Sequence, residues 1–403
     1  MCAVYGRRGR RDRINLVEQM RAKVMAMVLL GTALLWLALA MWCPSLSQAK
    51  NMFRSQGADM CSDFGMPRLC AMEKNPYRSS QVAVEDRCYP PICYQLVSLF
   101  PKDQIDGGLL CTMIFASIFL LSMILLGEKS AGPESRGEAW LMAGAMAASA
   151  PFILNLERAN LIWIPAAGIL LFWAWYDAES TWKRNGALLA LAVACAFKLT
   201  PAVFALVLVK NRRWKDFLLV AILTTVLIVV PFALCGGMST FGDWRTCVQT
   251  HLEHYGPFKS VGVFVFARII GVKLFGPDTL GFRTMLVMGR LADVVCGLVA
   301  LFTFFRARNH RVEVLMLVLS LIFLPSVTQS YVLLYLAPVL ALSVSKRLSM
   351  AEGVLLFFVL CALRLPVTRG DVRLSLLLAD AALFGLLGLG ANRVWRQRGT
   401  ADD

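Results

Sequence analysis

Residues 182–215 read WKRNGALLALAVACAFKLTPAVFALVLVKNRRWK. The apolar stretch Ala187–Val209 within them is interrupted by Lys198 and Pro201, which predicts two short helices that meet at membrane depth. Basic residues accompanied by a tryptophan flank the stretch on both sides, a pattern typical of the cytoplasmic membrane interface. The chain is therefore predicted to enter and leave the membrane on one side here, and this sets the sidedness of the other segments.

The composition of the whole chain favours a lipid bilayer as its solvent. Of the 403 residues, 58% are hydrophobic, and the mean hydropathy is +0.63. A soluble domain of this size would need more polar residues to cover its surface. The net charge of +15 comes from Lys and Arg in short clusters between apolar runs, as expected of a topology signal. Nucleic acid is therefore not expected as a partner.

Further apolar runs are candidates for membrane spans. Together with the interrupted pair they predict an all-α, polytopic membrane protein, a single integral-membrane domain over residues 1–403 with about 12 membrane-crossing helices. Whether the number of crossings is even or odd depends on the interrupted pair, because the chain enters and leaves the membrane on the same side there. The runs are Lys23–Trp42, Gly108–Leu126, Ala139–Leu154, Leu161–Trp175, Phe217–Leu234, Thr284–Phe305, Val312–Pro325, Val332–Val344, Ala351–Leu363 and Leu374–Leu387.

Basic clusters predict the side of each remaining segment. The N-terminus, residues 1–22, and the tail, residues 388–403, are expected in the cytoplasm. Residues 44–107 form a large first extracytoplasmic loop, and residues 236–281 form a second one. Ser47-Gln48-Ala49 after the first run also fits a signal-peptide cleavage site, but the run is longer than a typical signal, so an uncleaved anchor is preferred.

Two carboxylates near the start of the first loop are candidates for acid–base chemistry. Asp59 and Asp63 are four residues apart, so a helix would carry both on one face. A carboxylate at the mouth of a membrane cavity can accept the proton of a sugar hydroxyl, as a displacement at an anomeric carbon requires. The alternative is that both are ordinary solvated loop charges.

The cysteines leave one question open. Cys61, Cys70, Cys88 and Cys93 in the first loop would suit two disulfides in an oxidising compartment, and free thiols are the alternative. The chain has no Cys-x-x-Cys pair and no Cys/His spacing typical of zinc ligands. Neither a metal nor another cofactor is expected.

A series of short motifs runs through the first loop and beyond it. Asp63-Phe64 is followed by Asn75-Pro76-Tyr77, then by Tyr89-Pro90-Pro91 and Phe100-Pro101. This order resembles the first extracytoplasmic loop of glycosyltransferase family 87, whose members are polyprenol-phosphate-sugar-dependent mannosyltransferases and relatives of the GT-C type. Each motif alone is weak, and their order carries the resemblance.

Three later segments extend the resemblance to roughly residues 57–340. Arg158-Ala159-Asn160 resembles the family's Gly-Gln-x-Asn element, with an arginine in place of glutamine. Residues 186–214, from Gly186 through Lys198 to Trp214, resemble its Gly…Lys-x-x-Pro…Arg-Arg-Trp stretch, and Tyr255–Arg268 is similar to the segment that follows its second outer loop. One departure is the segment Pro325–Tyr331, which lacks the histidine that the family often carries there.

The resemblance implies an inverting transferase that moves a sugar, mannose in the family's pattern, from a polyprenyl-phosphate donor to a glycolipid or glycan acceptor among membrane lipids. Asp63 is then the expected catalytic base, and Asp59 is the reserve. Donor-phosphate or substrate contacts are expected at Tyr77, Tyr89, Arg158, Asn160, Lys198, His251, His254, Lys259, Ser260, Gln329 and Tyr331.

Some of these residues have alternative interpretations. Lys198 in its apolar run either contacts the donor phosphate or makes a structural contact, as a snorkelling or ion-paired lysine would. His251 and His254 have helical spacing, but no third ligand lies nearby in the sequence, so an outer-loop pair or one phosphate contact is favoured over zinc.

The alternative function is a polyprenyl-lipid flippase or transporter. Transporters commonly carry paired interrupted helices in two repeated halves, whereas only one interrupted pair stands out here, and this asymmetry favours the enzyme. The expected location is a bacterial inner membrane with an extracytoplasmic site, and an endoplasmic-reticulum membrane is the topological equivalent.

Overall fold

The computed structural model describes residues 61–132, 135–255, 261–277, 279–325, 330–344, 349–361, 368–369 and 372–399. Within these residues the regular secondary structure is helical, as predicted, apart from two paired strands of two residues each, Thr368–Arg369 and Val372–Arg373. The predicted span Lys23–Trp42 lies outside the described residues.

The α-helices are α1 (Ser62–Cys70), α2 (Pro91–Ser98), α3 (Gln104–Ala131), α4 (Arg136–Ala147), α5 (Ala150–Arg158), α6 (Trp163–Trp175), α7 (Thr181–Phe197), α8 (Leu206–Lys210), α9 (Trp214–Leu234), α10 (Ser239–Tyr255), α11 (Val263–Phe275), α12 (Leu280–Arg306), α13 (His310–Phe323), α14 (Ala337–Leu342), α15 (Met350–Cys361) and α16 (Leu374–Gly399). Short 3-10 helices cover Pro76–Arg78, Val84–Asp86, Thr200–Ala205 and Ser330–Leu336.

Several helices are suited to a bilayer. Among the described residues, α3, α9, α12 and the Leu377–Trp395 part of α16 are long and apolar enough to cross a membrane. The predicted span Ala139–Leu154 is instead the pair α4 and α5, which bend by 61° and together would make a fifth crossing. The bend has a local cause, because the Ser149 side chain caps α5 and Pro151 occupies its first turn. The larger count of about 12 crossings remains a prediction.

The core forms around α6, which packs against α3 and α7. The approach of α6 and α7 is close, because a Cβ atom added to Gly168 would lie 2.6 Å from the carbonyl oxygen of Ala190. The first-turn charges of α13 are buried and paired: Lys210 Nζ donates to Glu313 at 2.6 Å. Arg311 pairs with Glu352 of α15 at 3.0 Å. Paired charges avoid the free energy that an isolated buried ion costs.

The predicted interruption of the Ala187–Val209 stretch is confirmed. Helix α7 ends at Phe197, and Lys198 has extended backbone angles, φ −153° and ψ 121°. The chain continues as the 3-10 helix Thr200–Ala205 and the short α8, consistent with the effect of Pro201 at the start of that turn. Helices α10 and α11 occupy much of the predicted second loop, residues 236–281, which is therefore mainly helical.

The sidedness predicted from the basic clusters can be tested by cysteine labelling. Ser80 in the first loop and Asn211 between α8 and α9 are both exposed. In intact cells a membrane-impermeant maleimide should label Ser80→Cys above the background of the parent protein, and it should label Asn211→Cys only after the membrane is permeabilised. The opposite pattern would reverse the topology.

Candidate active site

The candidate site begins with Asp63 in the first turn of α1. Cys61, just before this helix, has a left-handed backbone with φ 58°, and its amide donates to the Glu157 carbonyl at 2.9 Å. That bond fixes the start of α1 against the end of α5. The first loop and the α5–α6 junction therefore meet at Asp63.

The partners of Asp63 come from the end of α5. Arg158 is the last residue of this helix, and Ala159 after it has a left-handed backbone with φ 50° and ψ 46°. This conformation is uncommon for a residue other than glycine, and it ends the helix sharply. As a result Arg158 and Asn160 direct their side chains to the same carboxylate.

Asp63 is held by three hydrogen bonds. Arg158 Nε donates to Oδ2 at 2.9 Å, and Arg158 Nη2 donates to Oδ1 at 2.7 Å. Asn160 Nδ2 donates to Oδ2 at 2.6 Å. Two parallel bonds from a guanidinium make a strong and geometrically specific contact. The Asp63 side chain is 14% exposed and the Arg158 side chain is 41% exposed, so the arginine remains accessible.

Further predicted residues surround this ion pair. Tyr89 and Tyr331 are both electrostatic neighbours of the Arg158 guanidinium. The Lys198 ammonium lies 4.6 Å from the centre of the Tyr331 ring, a cation–π distance. Burial, with the Asp63 carboxylate nearby, raises the pKa of the Tyr89 phenol well above its usual value, so this hydroxyl remains a hydrogen-bond donor. We call Asp63, Tyr89, Arg158, Asn160, Lys198 and Tyr331 the Asp63 cluster.

Helix α10 holds the first loop in place from outside the cluster. Asp243 Oδ2 accepts from Asn75 Nδ2 and from Arg78 Nε, both at 2.8 Å. Trp244 Nε1 donates to the Cys88 carbonyl at 3.0 Å, next to Tyr89. These bonds join residues more than 150 positions apart in the chain.

The predicted histidine pair belongs to this helix. His251 Nδ1 lies 2.7 Å from the Glu85 carbonyl oxygen, which can only accept, so Nδ1 carries the proton. Burial lowers the pKa of His251, which keeps the ring neutral at pH 7. His254 lies farther out, with Nδ1 4.0 Å from the Glu85 carboxylate. Among the described residues no group of three His, Cys, Asp or Glu side chains could hold a metal ion.

The other predicted site residues fall into two groups. Tyr77 is buried, its hydroxyl donates to the Tyr89 carbonyl at 3.0 Å, and its ring contacts Tyr94, so it supports Tyr89 from the core. The remaining positions lie outside the described residues: Asp59, Lys259, Ser260 and Gln329. The four first-loop cysteines are free thiols, which agrees with the second of the two alternatives.

Comparison with known families decides the class of the protein. The family model of glycosyltransferase family 87 matches residues 88–328. The chain belongs to glycosyltransferase family 87. It is therefore a glycosyltransferase, an enzyme that uses a sugar donor and an acceptor. No curated protein and no solved structure matches the chain. In this family 87 chain the matched range includes four residues of the Asp63 cluster, whereas Asp63 lies 25 residues before it and Tyr331 lies three residues after it.

Sequence reasoning named His251 and missed the other residues of α10 that contact the first loop. Asp243, Cys247, His251 and Tyr255 occur at every fourth position and lie on one side of the helix, where each contacts the first loop. This spacing is visible in the sequence. A polar stripe on a helix is also typical of a solvated face, so the spacing alone did not identify a contact surface.

The role of α10 can be tested at Trp244. Trp244→Phe retains an aromatic ring against Phe232 and removes the donor to the Cys88 carbonyl. A net loss of about 1 kcal/mol in local stability is expected. It should appear as faster amide hydrogen exchange in residues 84–91. Trp182→Phe, at an exposed tryptophan of α7, is the control and should leave that exchange unchanged. Equal exchange in both variants would contradict the assignment.

Proposed function

We propose that the chain transfers a sugar from a polyprenyl-phosphate donor to a glycolipid or glycan acceptor, by inverting displacement with Asp63 as the base. The observation that supports this best is the Asp63 cluster itself. It joins one carboxylate, held by an amide, to a partly exposed guanidinium and a neighbouring ammonium group. This combination provides a proton acceptor and two cations for a phosphate leaving group. We further propose mannose as the sugar, following the family resemblance.

The bond changes in the proposed reaction are those of a single displacement. The Asp63 carboxylate takes the proton of an acceptor hydroxyl as its oxygen attacks the anomeric carbon. The bond between that carbon and the phosphate oxygen breaks, and its electron pair leaves with polyprenyl phosphate. The charge that develops on this phosphate is the charge that Arg158 and Lys198 are suited to stabilise. Configuration at the anomeric carbon inverts because attack and departure occur on opposite faces.

Arg158 gives the donor a way to influence the base. In the resting structure its guanidinium binds both carboxylate oxygens of Asp63, so an acceptor hydroxyl must compete with it for these atoms. A guanidinium fits a phosphate as well as it fits a carboxylate. A donor phosphate that draws Arg158 away would leave Asp63 bound to Asn160 through Oδ2, with Oδ1 open to an acceptor hydroxyl. Deprotonation of the acceptor would then follow donor binding.

The proposed setting is a GT-C-type membrane architecture with about 12 crossings. The polyprenyl tail would lie among the helices, and the phosphosugar would lie at the extracytoplasmic surface beside the first loop. The proposed membrane is the bacterial inner membrane, with the endoplasmic-reticulum membrane as the equivalent. Within the described residues, the long apolar surfaces of α9 and α12 support a membrane location.

The base assignment predicts a specific kinetic defect. Asp63→Asn keeps the size of the side chain and removes its basicity, so transfer should fall by about 10²–10⁴-fold, while donor binding changes little. Asp103→Asn is the matched control, because it also removes one first-loop carboxylate and an asparagine still caps α3. Transfer by purified protein is measured with a labelled polyprenyl-phosphate sugar.

Asp59→Asn completes this test of the base. If Asp59→Asn shows the large loss and Asp63→Asn does not, the base is Asp59. If both single variants and the double variant keep near-normal rates, neither carboxylate is the base.

The phosphate role of Lys198 predicts a defect in donor binding. Lys198→Met keeps the length of the side chain and removes its charge, so the donor Kd should rise by about tenfold or more. Lys198→Arg retains a cation over Tyr331 and should keep part of the affinity. Unchanged donor affinity in Lys198→Met, measured on protein with normal thermal stability, would leave Lys198 a structural role only.

A further inference from the structure

A second charged site lies at the other end of α6 and α7. It is a cavity of about 560 Å³. Its lining comes from the α6–α7 connection, the first turns of α7, and the junction of α8 with α9. The lining residues are Tyr176, Asp177, Ala178, Arg184, Arg212, Arg213, Trp214, Lys215 and Asp216.

The cavity is far from the Asp63 cluster. Arg184 lies in the first turn of α7, whereas Lys198 follows the last residue of the same helix. The 17 residues of α7 span about 25 Å at 1.5 Å per residue. A ligand in the cavity is therefore distinct from a donor phosphate bound at Lys198.

The charges of the cavity lining do not cancel. Both carboxylates are already paired: Asp216 with Arg213, whose Nε donates at 2.7 Å, and Asp177 with Lys129. Within the described residues, Arg184, Arg212 and Lys215 have no ion-pair partner. The Arg184 Nε atom is buried and also lacks a hydrogen-bond partner. Arg184 therefore brings a positive charge and an unsatisfied donor to the edge of the cavity.

The backbone adds further donors at the same place. Helix α9 begins at Trp214, and no side chain in the described part of the protein caps its N-terminus. The free amides and the positive end of the helix dipole favour an anion near this turn. Two independent features, the three unpaired cations and the uncapped helix, therefore favour the same kind of ligand.

An apolar stripe leads away from the cavity along α9. Trp214, Leu218, Ile222 and Val226 occur at every fourth residue and are exposed by 55%, 57%, 60% and 48%. From Trp214 to Val226 the helix rises about 18 Å, slightly more than half of a hydrocarbon core about 30 Å thick. Exposed aliphatic side chains over this distance match the length of lipid acyl chains in one leaflet.

We propose that this cavity binds the phosphate headgroup of an anionic phospholipid, with its acyl chains along the α9 stripe. The Arg184 guanidinium and the amides of the first turn of α9 donate to the phosphate oxygens. Arg212 and Lys215 supply the remaining positive charge, and Trp214 lies at the level of the headgroup, where tryptophan is favoured. A free phosphate anion shares the chemistry of the headgroup, but it has no acyl chains that could contact the α9 stripe.

The experiment measures lipid binding to purified full-length protein by native mass spectrometry from detergent. Phosphatidylglycerol is compared with phosphatidylcholine of the same chains, and glycerol phosphate is the chain-free competitor. Phosphatidylglycerol should bind preferentially, and glycerol phosphate should not displace it at equal concentration. Arg184→Gln and Lys215→Gln should each weaken phosphatidylglycerol binding by about fivefold, which corresponds to about one charge near a headgroup. Lys183→Gln is the matched control, because this exposed neighbour does not line the cavity.

The outcomes separate the alternatives. Equal binding of both lipids, or an equal loss in Lys183→Gln, would overturn the proposal. Displacement by glycerol phosphate would assign the cavity to a soluble phosphate and would exclude the lipid. Lys215 is exposed, so its variant reports on the site even if Arg184→Gln does not fold. Lys215→Gln should leave the Kd of the sugar donor unchanged, which keeps this result independent of the glycosyl-transfer mechanism.

Discussion

The ion pair between Asp63 and Arg158 determines how the first loop packs against the junction of α5 with α6. A carboxylate that is largely removed from water needs partners, and here three hydrogen bonds come from residues 95 or 97 positions away. Satisfying it fixes the start of α1 against the end of α5. It also explains why Ala159 is held in a left-handed conformation, since that turn brings Arg158 and Asn160 to one carboxylate.

The balance of charge follows from the same pair. Arg158 and Lys198 contribute two positive charges to the Asp63 cluster, and Asp63 contributes one negative charge. The surplus makes the cluster receptive to an anion, whereas the buried pair of Lys210 with Glu313 is close to neutral. A neutral pair stabilises the helix packing, and a cluster with a surplus remains able to bind a ligand.

Features with a local cause could be predicted from the sequence. The interruption at Lys198 followed from a charge and a proline within an apolar run, and both act on the backbone where they stand. The contact of Asp63 with Arg158 could not be obtained in this way, because nothing in either segment encodes the other's position. The family pattern identified both residues but assigned Arg158 to a phosphate, and the structure adds its bond to the carboxylate.

The same limit applies to the second loop and to the spans. Residues 236–281 are predicted as a loop because α10 is largely polar. Its hydrogen bonds with the first loop join polar groups, and hydrophobic periodicity does not detect such contacts. The bend between α4 and α5 had a visible signal in Ser149 and Pro151, but a run of apolar residues obscured it.

The contacts of α10 with the first loop also constrain the order in which the protein can fold. Asn75 and Arg78 reach Asp243 across 168 and 165 residues, and Asp86 reaches Tyr255 across 169. A chain made from its N-terminus cannot form these contacts until α10 has been synthesised. The segment that carries Tyr89 therefore lacks these contacts while α3 through α9 are synthesised. The cluster is consequently assembled late during synthesis. A nascent chain that ends before residue 239 lacks α10, so its first loop cannot be held in place beside the cluster.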